Sequence, residues 1–207
     1  MDTRTTALIL VGFQNDAFAP YGILRGMLPD QDRIDTALTN TVELIRRVES
    51  TDMLIVSTPI VLARDYRVLA ESDGILSSIR DSGAFREGRR GAESVPELLA
   101  FGDRIVYVPG RQGFNCFADT NLETVLRRRR VHHVIVAGML TSLCVDSTSR
   151  TAYERGYKVS VLSDCTVSRT QEEQDFYCRV VLPLYADVVQ SSTVVEQLDE
   201  VSSWCAV

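Results

Sequence analysis

Five cysteines, two histidines and a scatter of carboxylates could do covalent or acid–base chemistry in this 207-residue chain. Of these, Cys144 has the most suggestive surroundings. Residues 134–145 read VIVAGMLTSLCV. The first four are a short β-branched apolar run, the kind that forms a buried parallel strand. Gly138 breaks it, Thr141 or Ser142 can cap a helix by accepting from an orphan backbone N–H, and the cysteine follows in the first helical turn. A thiol there feels the partial positive charge of the helix end, which favours the thiolate. A strand feeding a helix start also brings the sulfur to the carboxyl edge of a sheet, where α/β proteins bind ligands. The pattern alone leaves two readings open: a nucleophile, or a small buried hydrophobe, the usual fate of a free cysteine.

Other chemistries find less support. His132 and His133 are adjacent and cannot form a spaced ligand pair on one helix face, so no metal is expected. No phosphate-binding GxxxxGK[ST] loop and no GxGxxG occur, so no cofactor is expected. A net charge of −6 argues against nucleic acid or an anionic membrane surface as the main partner. The basic run from Arg127 to Arg130 closes an expected helix, where cations complement the dipole. The cysteines are odd in number, scattered and without a CxxC, which reads as reduced thiols in a cytoplasmic protein. No signal peptide and no apolar run long enough for a membrane span are read. The length fits one domain over 1–207.

The elements that must position Cys144 alternate. Strands are expected at 6–13, 53–57, 104–108, 134–137, 158–162 and 187–190. Helices are expected at 31–49, 96–100, 120–129, 142–155, from 170 onward, and at 193–200. In the helix that Thr170 opens, Phe176, Val180, Val181 and Leu184 share one face. Two S/T-x-x-E signals, at 120–123 and 170–173, mark helix starts. Residues 63–94 are polar and glycine-punctuated, and read as a long segment folded over the sheet edge. The alternation predicts an α/β fold, a three-layer α/β/α sandwich around a parallel sheet of roughly six strands. Active residues should then follow Val11, Val108 and Ala137, at the carboxyl ends of strands.

Those three strand ends carry a resemblance. ALILVGFQNDAF resembles the opening strand and QND loop of the isochorismatase-like cysteine hydrolases, a superfamily that includes nicotinamidases, N-carbamoylsarcosine amidohydrolases and isochorismatases. GILSSIRDSGAFREGRRGAE resembles a mid-chain block of one subgroup, GRQGFNCFADTNL the lysine loop, and LSDCT a following strand end. AGMLTSLCVDSTSRTAYERGYKV resembles the nucleophile block and is the most specific of these matches.

The resemblance implies a mechanism. A cysteine attacks an amide carbonyl, an aspartate moves the proton, and a lysine stabilises the charged pair. It implies a cis Met139–Leu140 peptide, with the Leu140 and Cys144 N–H groups as an oxyanion hole. Carried over residue by residue, only Cys144 matches. The aspartate position is Gly12, which has no proton acceptor. The lysine position is Arg111, which keeps a charge but cannot give up a proton. Asp16, Asp65, Asp146 and Asp164 are the carboxylates to weigh as a replacement. Asp16 reads best as a loop organiser, Asp146 points away from the sulfur, and Asp164 reads as a cap of the following loop. The metal-binding histidines of nicotinamidases are absent.

Phe13, Asp65, Phe114, Phe117 and Met139 are expected around a small-molecule ligand, with at least two of the three phenylalanines alternatively in the core. The resemblance implies a homodimer or homotetramer. Two functions remain: a cysteine hydrolase of a small amide or related C–N bond with an atypical triad, or a catalytically inactive shell that binds a ligand or partner subunit.

Overall fold

The computed structural model describes the backbone of residues 1–204 and the side chains of residues 1–199; Cys205 lies outside them. Six strands form the sheet: β1 (Thr6–Val11), β2 (Leu54–Thr58), β3 (Ile105–Tyr107), β4 (His133–Met139), β5 (Lys158–Val167) and β6 (Asp187–Val189). Their spatial order is β3-β2-β1-β4-β5-β6, and every neighbouring pair is parallel.

The α-helices are α1 (Asn15–Phe18), α2 (Gln31–Val48), α3 (Gly74–Ser82), α4 (Pro96–Leu99), α5 (Leu122–Arg128), α6 (Asp146–Glu154), α7 (Gln171–Phe176) and α8 (Ser191–Trp204). Alternation along the central strands divides the core in two. Leu8, Leu10, Ile55, Ile135 and Ala137 pack toward α2 and α8. Ala7, Ile9, Val11, Val134 and Val136 pack toward α5 and α6. A strand with both faces covered is apolar throughout, which is why these segments read as continuous hydrophobic runs. The three-layer architecture is the one the alternation predicts.

The direction in which strands are added to the sheet reverses between β1 and β4. From β1 the sheet grows outward through β2 and β3; from β4 it grows the other way through β5 and β6. The crevice at the carboxyl ends of β1 and β4 is therefore a topological switch point, the place where such sheets take ligands. The two strands come very close there. A Cβ on Gly138 would lie 2.0 Å from the Val11 carbonyl oxygen, so only glycine lets this edge of the sheet close. A register shift between β4 and β5 follows at the same place.

Three expectations change. β1 ends at Val11 rather than Phe13. The polar segment over the sheet edge contains a helix, α3, whose buried or half-buried residues are Ile75, Leu76 and Ile79. The helix opened by Thr170 does not run straight to Leu184. It passes from α7 into a π-turn over Tyr177–Val181 and a 3₁₀ turn over Leu182–Leu184. Phe176, Val180 and Leu184, which share one face by their spacing, are exposed, Leu184 at 77%. Gln174 and Leu182 are the residues this segment buries.

Candidate functional site

At the switch point the chain leaves β1 through Gly12, which has a positive φ of 70°. It leaves β4 through a Met139–Leu140 peptide that is cis, as the resemblance implies. The turn after it is a π-turn over Thr141–Val145 that runs directly into α6. Neither Thr141 nor Ser142 caps it through its side chain. The Leu140 carbonyl accepts from the Leu143 and Val145 N–H groups at 3.1 Å each. Thr141 Oγ1 instead donates to Gln174 Oε1 at 2.7 Å. Cys144 thus sits one turn before α6, facing the end of β1.

The QND turn clamps the lid segment over this crevice. Gln14 is fully buried; its Nε2 donates to the carbonyls of Ile60 and Ala92, both at 2.7 Å, and its Oε1 accepts from the Ile60 N–H at 2.8 Å. Asn15 Nδ2 donates to the Arg90 carbonyl at 2.8 Å. Asp16 Oδ2 accepts from the Phe85 N–H at 2.6 Å. Gly91 passes so close that a Cβ there would lie 2.2 Å from Asp16 Oδ1. Asp16 is therefore a loop organiser.

Under the lid is a cavity of about 170 Å³. Gly12, Arg111, Met139, Leu140 and Cys144 form its floor, Phe114 a wall, and Leu24, Met27, Leu28, Ile75, Leu76, Ile79 and Phe85 its roof and mouth. Arg169 reaches it from the β5 side and is paired with Glu173 at 3.0 Å. An apolar cavity of about 150 Å³ takes up benzene, so a single ring or short chain fits. Among the described residues no aspartate, glutamate or histidine lines it.

Two of the phenylalanines and one aspartate expected around a ligand are elsewhere. Phe13, just past the strand end, turns into the core and stacks on Phe18 with centroids 4.4 Å apart. Phe117 packs against Tyr157 at 6.3 Å, with the Arg155 guanidinium over its ring. Asp65 is exposed and accepts from the Arg67 N–H at 3.2 Å. Asp146 is taken by Arg150 and Tyr185, and Asp164 by the N–H and hydroxyl of Ser191 at the start of α8. None of the four weighed carboxylates lines the cavity. The roof residues are the ones the sequence reading missed; Ile75, Leu76 and Ile79 at i, i+1 and i+4 were the available signal.

Arg111 is the largest fully buried side chain, with 0% exposure. Its Nε donates to the Thr58 carbonyl at 3.0 Å, and Nη1 reaches the Gly113 and Phe114 carbonyls at 3.4 Å. Nη2 has no hydrogen-bond partner. A Cβ built on Gly12 would lie 3.4 Å from this nitrogen. The guanidinium thus borders the space that a side chain at position 12 would enter. Burial pushes the Cys144 thiol above its ordinary range, while the nearby Arg111 charge and the Leu140 N–H pull it back. The net shift is upward, opposite to the expectation from a helix start beside a cation. Desolvation of a buried thiolate outweighs those contacts. Among the described residues, no group of three His, Cys, Asp or Glu side chains could hold a metal ion, and no helix is long and apolar enough to cross a membrane.

The sequence model of the Isochorismatase domain matches residues 6–193. The isochorismatase family protein YddQ of Bacillus subtilis (strain 168) is 27% identical over 171 residues, 83% of this chain and 82% of its own. The chain spans about half the length of two further curated relatives, 46% and 56%. Its fold is similar to that of a cysteine hydrolase from Pseudomonas syringae pv. phaseolicola 1448A, with TM-score 0.81, 21% identity, and 97% and 95% of the two chains covered. An N-carbamoylsarcosine amidase from Thermoplasma acidophilum gives TM-score 0.70 at 21% identity over 92% and 97%.

Proposed function

Because the chain belongs to the isochorismatase family, we propose that it is a cysteine hydrolase of a small, mainly apolar amide or related C–N compound. The observation that carries this reading is Cys144 on the floor of a lidded apolar cavity, beside Arg111 and the Leu140 N–H. In the proposed reaction Cys144 Sγ attacks the carbonyl carbon. The Leu140 and Cys144 N–H groups hold the developing oxyanion. Arg111 stabilises the thiolate. The C–N bond breaks as the amine leaves with a proton, and water releases the acid from the thioester. The thiol proton passes to the leaving nitrogen directly or through a water, since no carboxylate lines the cavity. Met139 and Phe114 hold the body of the substrate. Residence in the cytoplasm and assembly as a homodimer or homotetramer belong to the same proposal.

A second reading, binding without turnover, has one specific observation in its favour: among the described residues no carboxylate lines the cavity beside Cys144. Trapping distinguishes the two. Intact-mass spectrometry of wild type quenched in acid during exposure to activated aryl and alkyl amides should find a thioester on Cys144, absent from Cys144→Ala. An unmodified wild-type protein across the panel supports binding alone.

A further inference from the structure

Deeply placed arginines elsewhere in this chain are saturated. Arg25, 5% exposed, bonds Gln31, the Phe18 carbonyl and both oxygens of Asp35. Arg104 is held by four backbone carbonyls, those of Val48, Glu49, Thr51 and Met53. Arg111 is more deeply buried than either, yet it faces no carboxylate, and its Nη2 alone among the described arginine nitrogens is buried without a partner. A buried cation with an unsatisfied donor is costly to keep unless something completes it. The place beside it is not filled by protein. Gly12 contributes no side chain there, and a Cβ would stand at ordinary contact distance from Nη2 and from the Met139 carbonyl, at 3.4 and 3.5 Å. The rest of the cavity is mainly apolar; Arg169, which also reaches it, is paired with Glu173.

We propose that the cavity takes a small molecule with an apolar body and a carboxylate, and that the carboxylate seats on Arg111 Nη2 beside Gly12. The inference deepens the hydrolase reading and rests on it for the position of the scissile bond. A guanidinium N–H to a carboxylate oxygen is the charge-assisted bond that would satisfy this donor. The ligand then supplies the negative charge that Gly12 lacks. The apolar roof from Ile75, Leu76 and Ile79 covers the body and excludes water from the pair, which strengthens it. Selectivity follows from the same geometry: a neutral ligand of the same shape leaves the buried cation unpaired.

The test uses two pairs equal in shape and different in charge: benzoate against acetophenone, and hexanoate against heptan-2-one. Each is titrated calorimetrically into wild type, Arg111→Gln and Gly12→Asp. In wild type the acid of each pair should bind roughly tenfold or more tighter than the ketone. In Arg111→Gln that advantage should vanish while ketone binding is kept. In Gly12→Asp the new carboxylate takes the guanidinium, and acid binding should fall below ketone binding. If Arg111→Gln does not fold, the wild-type comparison and Gly12→Asp decide. Ketones binding as tightly as acids in wild type, acid binding that survives in folded Arg111→Gln, or no acid binding at millimolar concentration would overturn the inference. Acid binding together with no Cys144-dependent cleavage anywhere in the amide panel would remove the hydrolase reading and leave this one. Cleavage of neutral amides with no preference for acids would do the reverse.

Discussion

Cys144 lies beside the Arg111 guanidinium in a cavity where no described carboxylate is present, and burial governs its pH behaviour. Burial raises the thiol and Arg111 only partly offsets this. The sign is plain: with the folded-state pKa above the ordinary thiol value, thiolate is scarce at neutral pH and grows as pH rises. Alkylation of Cys144 by iodoacetamide should therefore increase steadily from pH 7 into the alkaline range. Cys165 and Cys178, pushed up to about 12 and about 11, and buried Cys116 should lag behind it, because Cys144 alone of the four lines the cavity. Removing the cation in Arg111→Gln should slow Cys144 by about tenfold or more. Peptide mass spectrometry over a pH series reads both effects. A rate that is already flat by pH 7 would mean a preformed thiolate and would contradict the burial argument. The placement of Cys144, Gly12 and Arg111 was legible in the sequence: the three line one cavity at the strand ends. The sign of the thiol shift was not. A helix start and a nearby cation can be read from spacing, whereas desolvation depends on a lid folded from residues far away in the chain.

At the scale of elements, the site depends on how closely β1 and β4 approach. Gly138→Ala would drive a Cβ into the Val11 backbone, and neither strand can move without opening both halves of the core. It should destabilise the fold by at least ~3 kcal/mol, read as a loss of soluble protein or a large fall in urea midpoint. A variant within about 1 kcal/mol of wild type would show that the strand ends are not locked. The strands were legible because burial on both faces leaves unbroken apolar runs. The lid was less so. Its helix α3 opens at Asp73-Gly74 without a side-chain cap, and its outer face is polar. Side-chain direction was also hidden: Phe13 and Phe117 lie on loops near the site, but one stacks in the core and the other packs against Tyr157. Sequence gives the loop, and only packing gives the side of it a ring takes. The run from Thr170 shows the same limit in reverse. Its helical spacing is real, yet the segment changes from α-helix to a π-turn after Phe176, and the apolar residues of that stripe are exposed.

For the molecule as a whole, the sheet, the clamp of Gln14, Asn15 and Asp16 and the lid leave a cavity in which the proposed catalytic set has no carboxylate, with open space beside Gly12. Hydrolysis by such a site should be slow, because a positioned general base is worth about 10² to 10⁴ in rate, roughly 3–5 kcal/mol of barrier. The space at position 12 admits a side chain at ordinary contact distances, although its φ of 70° is a conformation that aspartate tolerates better than most residues. The direct measurement is ammonia or amine release from a panel of small amides by four proteins: wild type, Cys144→Ala, the double variant Gly12→Asp with Arg111→Lys, and that double variant carrying Cys144→Ala. The account predicts slow release by wild type that Cys144→Ala abolishes, and release about 10² or more faster by the folded double variant, again lost with the cysteine. Wild-type release that survives Cys144→Ala, or a folded double variant no faster than its own Cys144→Ala control across the panel, would contradict it.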